Sequence, residues 1–239
     1  MDCMDFLYTV PDKAFALAII DPPYGVGADK PHKKPSIARQ RNGTYLRVKT
    51  NNYDPKEWDS TPPDERFFDE LFRVSRNQII FGANYFGLKG GMIVWDKLNY
   101  GGDQYGCEIA YQSFNQRTDI VHYMWRGMIQ GAYCGDDVGR ALIQQGNKKL
   151  NEKRIHPTQK PVALYAWLLQ HYASKGDNIL DTHLGSGSSR IAAFKLGFDF
   201  TGIEIDPDYF ALQEARFRRE CFGEEIIPDG RALKQLTLF

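Results

Sequence analysis

The sequence predicts a doubly wound α/β fold: a mostly parallel sheet with helices on both faces and one small inserted region. Three observations predict it. Short apolar runs, closed by an acid, a proline or a glycine, recur along the chain. In the last third, strand-like and helix-like segments alternate, with glycine at the turns. At 239 residues, with 42% hydrophobic and 25% charged residues, the chain is long enough for a single domain over 1–239.

The elements follow in order. Phe15 to Asp21 (FALAIID) is an apolar run ended by an acid and two prolines, as expected of a buried parallel strand that stops abruptly. From Val26 to Lys56 stand eight basic residues against two acidic ones, interspersed with Gly, Pro and Asn. This reads as a long, mobile basic loop, and such loops inside compact domains are usually functional or disordered. Pro63 to Arg76 has helical spacing; Gln78–Gly82, Gly91–Asp96 and Glu108–Phe114 read as short strands. Residues 115–155 are mixed and polar, with Arg126, Arg140, Lys148, Lys149, Lys153 and Arg154. Pro161 opens a helix, proline being favoured at the first helical position. Asn178–Asp181 is a strand, LGSGSS a loop, and the helix after it stops at Gly197. Phe200–Glu204 is the next strand, and Asp206-Pro207 caps and starts a helix through about Glu220. A tail over 221–239 carries Pro228 and Gly230 as breakers.

Several classes are excluded. Thirty Lys plus Arg balance thirty Asp plus Glu, so there is neither a uniformly basic coat nor a long acidic tail. The longest apolar run, Phe15–Ile20, is far shorter than the roughly 20 residues a membrane helix needs. MDCMDF lacks the basic-then-apolar order of a secretory signal. Cys3, Cys107, Cys134 and Cys221 lie far apart without a CxxC pair. The expectation is four reduced thiols in a cytoplasmic protein, with no structural zinc and no other metal site.

Two motifs carry chemistry. A strand, then DTHLGSGSS, then a helix is the geometry in which a ligand sits over a helix N-terminus. Gly185 and Gly187 let backbone approach that ligand closely. Glu204 ends the following strand, where an acid can accept hydrogen bonds from both hydroxyls of a ribose. The dinucleotide fingerprint requires a third glycine where Arg190 stands. A nucleoside without pyrophosphate is therefore favoured over NAD. The second motif is DPPYG, Asp21 to Gly25. Pro22 and Pro23 remove two N–H donors and fix φ. A cluster of acceptors remains, the Asp21 carboxylate and nearby carbonyls, which suits a planar amino group. Tyr24 beside it offers a flat face to a base.

With these residues in place, the chain resembles the S-adenosylmethionine-dependent amino-methyltransferases of DNA, in the order where the catalytic motif precedes the cofactor motif. DPPYG resembles the catalytic motif of the adenine-modifying members. HPTQKP (His156 to Pro161), DTHLGSGSS and GIEIDPDYF resemble the cofactor-side motifs, and FGANYF (Phe81 to Phe86) a further family segment. Thr182-His183 stands where Pro-Phe is usual and Ser188 where Thr is usual.

The resemblance implies a Rossmann-like methyltransferase sheet and S-adenosylmethionine as cofactor. It assigns Asp21, Pro22, Pro23 and Tyr24 to catalysis. To the cofactor it assigns Asp2, His156, Pro157, Thr158, Lys160, Asp181, Gly185, Ser186, Gly187, Ser188 and Glu204. It implies methylation of the 6-amino group of adenine in double-stranded DNA, with the base flipped out. Cytosine 4-amino methylation, RNA as substrate, and a non-catalytic DNA-binding regulator on the same fold stay open. Both restriction-modification and solitary phage-type contexts fit. The basic loop is expected on DNA phosphates through Lys33, Lys34, Arg39, Arg41 and Arg47, and 115–155 is the candidate target-recognition region. The end of the chain, Gln235-Leu236-Thr237-Leu238-Phe239, resembles the peptide by which bacterial DNA-processing proteins dock on the sliding clamp. Gln235 supplies amide hydrogen bonds while Leu236, Leu238 and Phe239 fill an apolar groove; the alternative is a terminal strand packed on the domain.

Overall fold

The structure, a computed structural model, describes residues 1–28, 37–39, 43–47, 56, 58–99, 105–126, 129–132, 151–226 and 232–234. In chain order the elements are α1 (Cys3–Leu7), β1 (Phe15–Ile20), β2 (Ile37–Arg39), β3 (Tyr45–Arg47), α2 (Glu65–Val74), β4 (Ser75–Phe81), α3 (Ala83–Phe86), β5 (Gly91–Asp96) and β6 (Cys107–Gln112). Then come β7 (Thr118–Arg126), β8 (Ile129–Ala132), α4 (Val162–Tyr172), β9 (Asn178–Asp181), α5 (Ser188–Leu196), β10 (Asp199–Gly202), α6 (Pro207–Phe222), β11 (Glu224–Ile226) and β12 (Ala232–Lys234).

Eight strands form one sheet in the order β10-β9-β1-β4-β6-β5-β7-β8. The first four are parallel, β6 is antiparallel to both neighbours, β5 and β7 are parallel, and β8 closes the edge antiparallel. Strand β1 is apolar throughout because both of its faces are covered. Leu17 and Ile19 pack in one layer with Leu164, Leu168 and Ala192 of α4 and α5. Ala18 and Ile20 pack in the other with Leu7, Phe67 and Leu71 of α1 and α2.

From β9 the chain passes through α5 to β10, outward on one side. From β1 it passes through α2 to β4, outward on the other. The adjacent strands β1 and β9, paired Ala18 to Leu180, therefore flank the point where the winding reverses. Open α/β sheets bind ligands in the crevice at the carboxyl ends of such strands. The DPPYG turn and the Gly/Ser loop both emerge there.

The structure departs from the sequence reading in four places. Residues 118–126, assigned to a recognition region, form β7 inside the sheet, with Val121, Met124 and Trp125 buried. Polar Asp119 and His122 interrupt that strand and dilute its apolar signal. The basic segment contains the antiparallel pair β2–β3, which the Asn-Gly dipeptide at 42–43 should have signalled. Pro161 is the N-cap of α4, one position before its first turn. Helix α6 runs on to Phe222, and the tail beyond it contains the β11–β12 hairpin. Asp206 does cap α6, its carboxylate accepting from the amides of Asp208 and Tyr209. Lys33, Lys34 and Arg41, the side chains of Arg39 and Arg47, residues 133–150 and the peptide Gln235–Phe239 lie outside the described residues. Among the described residues no helix is long and apolar enough to cross a membrane.

Candidate active site

The turn after β1 is held from several sides. The Tyr24 hydroxyl donates to one Asp21 carboxylate oxygen at 2.6 Å. The Lys160 ammonium pairs with the other. Lys160 also lies 3.1 Å from Glu108 Oε2, and Lys97 pairs with Glu108 Oε1. Burial pushes the Asp21 carboxyl up, while Lys160 and the Tyr24 hydroxyl hold it down against that push. Beyond Asp21, the buried Asp59 carboxylate accepts from the amides of Tyr24 (2.7 Å), Gly25 (2.9 Å) and Ala28 (2.7 Å). These bonds give partners to the turn's own N–H groups, which the prolines cannot serve.

The Gly/Ser loop is braced from below. Asp181 accepts from Ser189 Oγ at 2.5 Å and from the His183 amide at 3.0 Å. Burial raises its carboxyl to about 7. Glu204 receives the Gly185 amide at 2.7 Å on one oxygen and the Asp206 amide at 2.9 Å on the other. The fully buried Arg216 donates to Ser186 O and Ser188 Oγ, each at 2.9 Å, and reaches Glu152 Oε2 at 2.8 Å.

Two cavities open from this framework. The smaller, of about 280 Å³, is lined by Asp2, Cys3, His156, His183, Gly185, Ser186 and Glu204 among others. The larger, of about 830 Å³, is lined by Pro22, Tyr24, Tyr85, Lys97, Tyr105, Glu108 and Arg154 among others. They share Asp21, Pro23, Trp58, Thr158, Gln159 and Lys160. The smaller is the place for a nucleoside-type ligand, with Glu204, Asp2 and aromatic Trp58 and Tyr209 in its walls. His156 in its wall sits against Trp58 and Tyr209, ring centroids 4.9 and 4.3 Å apart. Burial and the Lys160 charge drop its pKa to about 3, so it is neutral.

The residues expected at the cofactor therefore divide. Asp2, His156, Thr158, Gly185, Ser186 and Glu204 line the smaller cavity. Asp181, Gly187 and Ser188 stand behind its wall and shape the loop instead, because their polar groups or close packing face inward. Pro157 lines the larger cavity. Lys160 reaches both, its ammonium on the Asp21 carboxylate. Tyr24 also differs from expectation: one face of its ring is stacked on Tyr85, centroids 4.8 Å apart at 13°, and its edge meets Phe86. The sequence reading missed Trp58, Asp59, Lys97, Glu108 and Tyr209. The Trp58-Asp59 pair after a basic segment, and the acid heading the strand EIAYQSF, were the local signals.

The part of the chain that carries β6 to α6 is similar to the DNA methylases of the N6/N4 type. The model of that family, described as DNA methylase, matches residues 104–215 of this chain. The chain is 27% identical to the type II methyltransferase M1.MboII of Moraxella bovis, covering 91% of this chain and 94% of that protein. It is 22% identical to the type II methyltransferase M.HinfI of Haemophilus influenzae, over 99% of this chain and 70% of that one. Among solved structures, the M1.HpyAVI–SAM complex superposes with a TM-score of 0.53 at 17% identity, covering 90% of this chain and 96% of that one, a likeness of fold.

Proposed function

We propose that this protein transfers a methyl group from S-adenosylmethionine to the exocyclic 6-amino group of adenine in double-stranded DNA. The observation that carries the reading is the meeting of the two cavities at Asp21 and Pro23. A cofactor on one side and an extruded base on the other come together at a fixed cluster of acceptors.

The residues present fit the cofactor. Gly185 and Ser186 line the smaller cavity, Glu204 is positioned for ribose hydroxyls, and Asp2 also lines it, next to Met1, whose amino group donates to the Glu204 carbonyl at 3.0 Å. The acids Asp2 and Glu204 around this small cavity suit a ligand with a positively charged sulfur. When bound, S-adenosylmethionine supplies an electrophilic methyl group, already activated by that charge.

The protein's part is acceptance and placement. The Asp21 carboxylate and the Pro22 carbonyl accept the two N–H bonds of the target amine. This draws the nitrogen towards tetrahedral geometry and localises its lone pair, which in the free base is delocalised into the ring. The proton leaves after transfer, so Asp21 acts as acceptor without having to be a strong base. The amine lies inside the duplex, so the base must be flipped out. Tyr85 covers one face of Tyr24, so the base takes the other face or displaces Tyr85, which is 44% exposed. Lys97, Tyr105 and Arg154 around the larger cavity suit a nucleotide. Adenine is preferred over cytosine because Asp21 heads the motif, where the resemblance gives cytosine enzymes a serine more often.

The test is mass spectrometry of nucleosides from DNA incubated with protein and S-adenosylmethionine. The expected product is 6-methyladenine. The 4-methyl form of cytosine would overturn the choice of base, and no product at all would favour a non-catalytic regulator.

A further inference from the structure

The Lys160 side chain is 4% exposed. An ammonium offers three N–H donors. Three acceptors surround this one: Asp21, Glu108 Oε2 at 3.1 Å and the Tyr24 hydroxyl at 3.4 Å. The ammonium is thus surrounded by protein oxygens on the Asp21 side of the cavity. Glu108 is in turn held on its other oxygen by Lys97. The four charges alternate in sign along Lys97, Glu108, Lys160 and Asp21. They arrive from four places in the chain: the ends of β5, β6 and β1, and the segment before α4.

Without an ammonium between them, two buried carboxylates this close would share a proton. A protonated Asp21 presents a hydroxyl where the reaction needs an acceptor. With Lys160 in place, each Asp21 oxygen holds one protein donor and keeps a lone pair for the incoming amine.

We infer that Lys160 and Glu108 are positioning residues for methyl transfer. Lys160 keeps the Asp21 carboxylate ionised and fixed in orientation, and Glu108 anchors Lys160 there. The inference rests on the proposed function for its catalytic part, while the state of Asp21 can be read without turnover.

The experiment compares wild type, Lys160→Met, Lys160→Arg and Glu108→Gln. Three things are measured: cofactor affinity by calorimetry, single-turnover methyl transfer against pH at saturating cofactor, and the Asp21 carboxyl titration by carbon-detected NMR. The groups facing Asp21 are Lys160, Tyr24, Glu108, Tyr165 of α4 and Asp181 of β9, and all but the mutated one stay in place. Lys160→Met should lower the transfer rate about 100-fold or more, as loss of one preorganised charge contact does. Its acid limb and the Asp21 titration should move to higher pH, with cofactor affinity within about twofold of wild type. Lys160→Arg should keep the limb where it is. Glu108→Gln should move it to lower pH, because a like charge is gone, while the rate still falls from lost anchoring. Cofactor affinity lost in Lys160→Met with the limb unmoved would make Lys160 a cofactor ligand and overturn the inference. An Asp21 titration unmoved in Lys160→Met overturns it too. If Lys160→Met fails to fold, the opposite behaviour of Lys160→Arg and Glu108→Gln decides the matter. Wild type without methylated product refutes the proposed function, whereas an unmoved NMR titration refutes the positioning.

Discussion

Gly82 and Gly87 bracket the four-residue helix α3, and both have left-handed backbone, with φ of 75° and 63°. A Cβ at Gly87 would meet nothing within 4 Å. One at Gly82 would lie 2.4 Å from Cε1 of Tyr24, with Cδ1 and Cζ at 2.8 and 2.9 Å. The ring cannot simply turn away, because it is stacked on Tyr85 and its hydroxyl is held by Asp21. Gly87→Ala therefore carries backbone strain alone, about 1 kcal/mol. Gly82→Ala carries the same strain plus an overpacking cost of about 1–3 kcal/mol, or roughly 2–4 kcal/mol in all. Urea denaturation reads the difference directly, and for a chain of this size each kcal/mol is about 2–4 °C in Tm. The displaced ring is the one that touches Asp21, so Gly82→Ala should also slow methyl transfer, and Gly87→Ala should not. Equal stability loss in the two variants would refute the argument, because the contact with Tyr24 is all that separates them.

Asp21→Ala should abolish transfer while calorimetry finds cofactor binding within about twofold of wild type. Glu204→Ala should do the reverse first: a lost charge-assisted bond of about 1.5–3 kcal/mol is roughly a tenfold to hundredfold weaker cofactor. His156 is neutral in the folded protein with its pKa lowered to about 3 from 6.5. Its contribution is present above pH 6.5 and lost as pH falls towards 3; by pH 5 the loss is about 2 kcal/mol, and His156→Gln should lack that part of the acid destabilisation in urea titrations at the two pH values. Replacing Lys33, Lys34, Arg39 and Arg41 by Ala should weaken binding to all DNA sequences alike and flatten the salt slope by up to about 3.6, four contacts at 0.9 each; an unaltered slope would mean that the segment does not touch phosphates. Deleting Gln235–Phe239 should abolish clamp binding in a pull-down and leave methylation of short oligonucleotides unchanged, whereas a lowered Tm without any clamp binding in the intact protein would make the peptide structural.

What the sequence made legible was local. The strand FALAII, the helix cap at Asp206-Pro207, the loop LGSGSS and its stop at Gly197 each declare themselves within a few residues. Apolar periodicity and turn chemistry act over that range. That Asp21 and Gly185 stand at neighbouring strand ends came only from the pairing of β1 with β9. What stayed hidden was the set of partners that reach a motif from a distance. Lys160 and Tyr24 meet across 136 residues, and Asp59 reaches back 35 residues to Tyr24. No local pattern distinguishes a lysine that pairs with a buried carboxylate from one that touches a cofactor. Strand β7 was lost for a different reason: polar Asp119 and His122 break its apolar run, and their partners Tyr172 and Asp96 lie far off in the sequence.

The Asp59 bracket has a consequence for timing. Three amides of the turn are fastened to one buried carboxylate, and the two residues before them have φ set by their rings. Ordering a free backbone segment costs about 1–2 kcal/mol per residue in conformational entropy. Here that entropy is surrendered when the chain folds, before any substrate arrives. An encounter with the target base then meets an arrangement that has no remaining disorder to lose at this turn, so the barrier to reaction contains no term for assembling it.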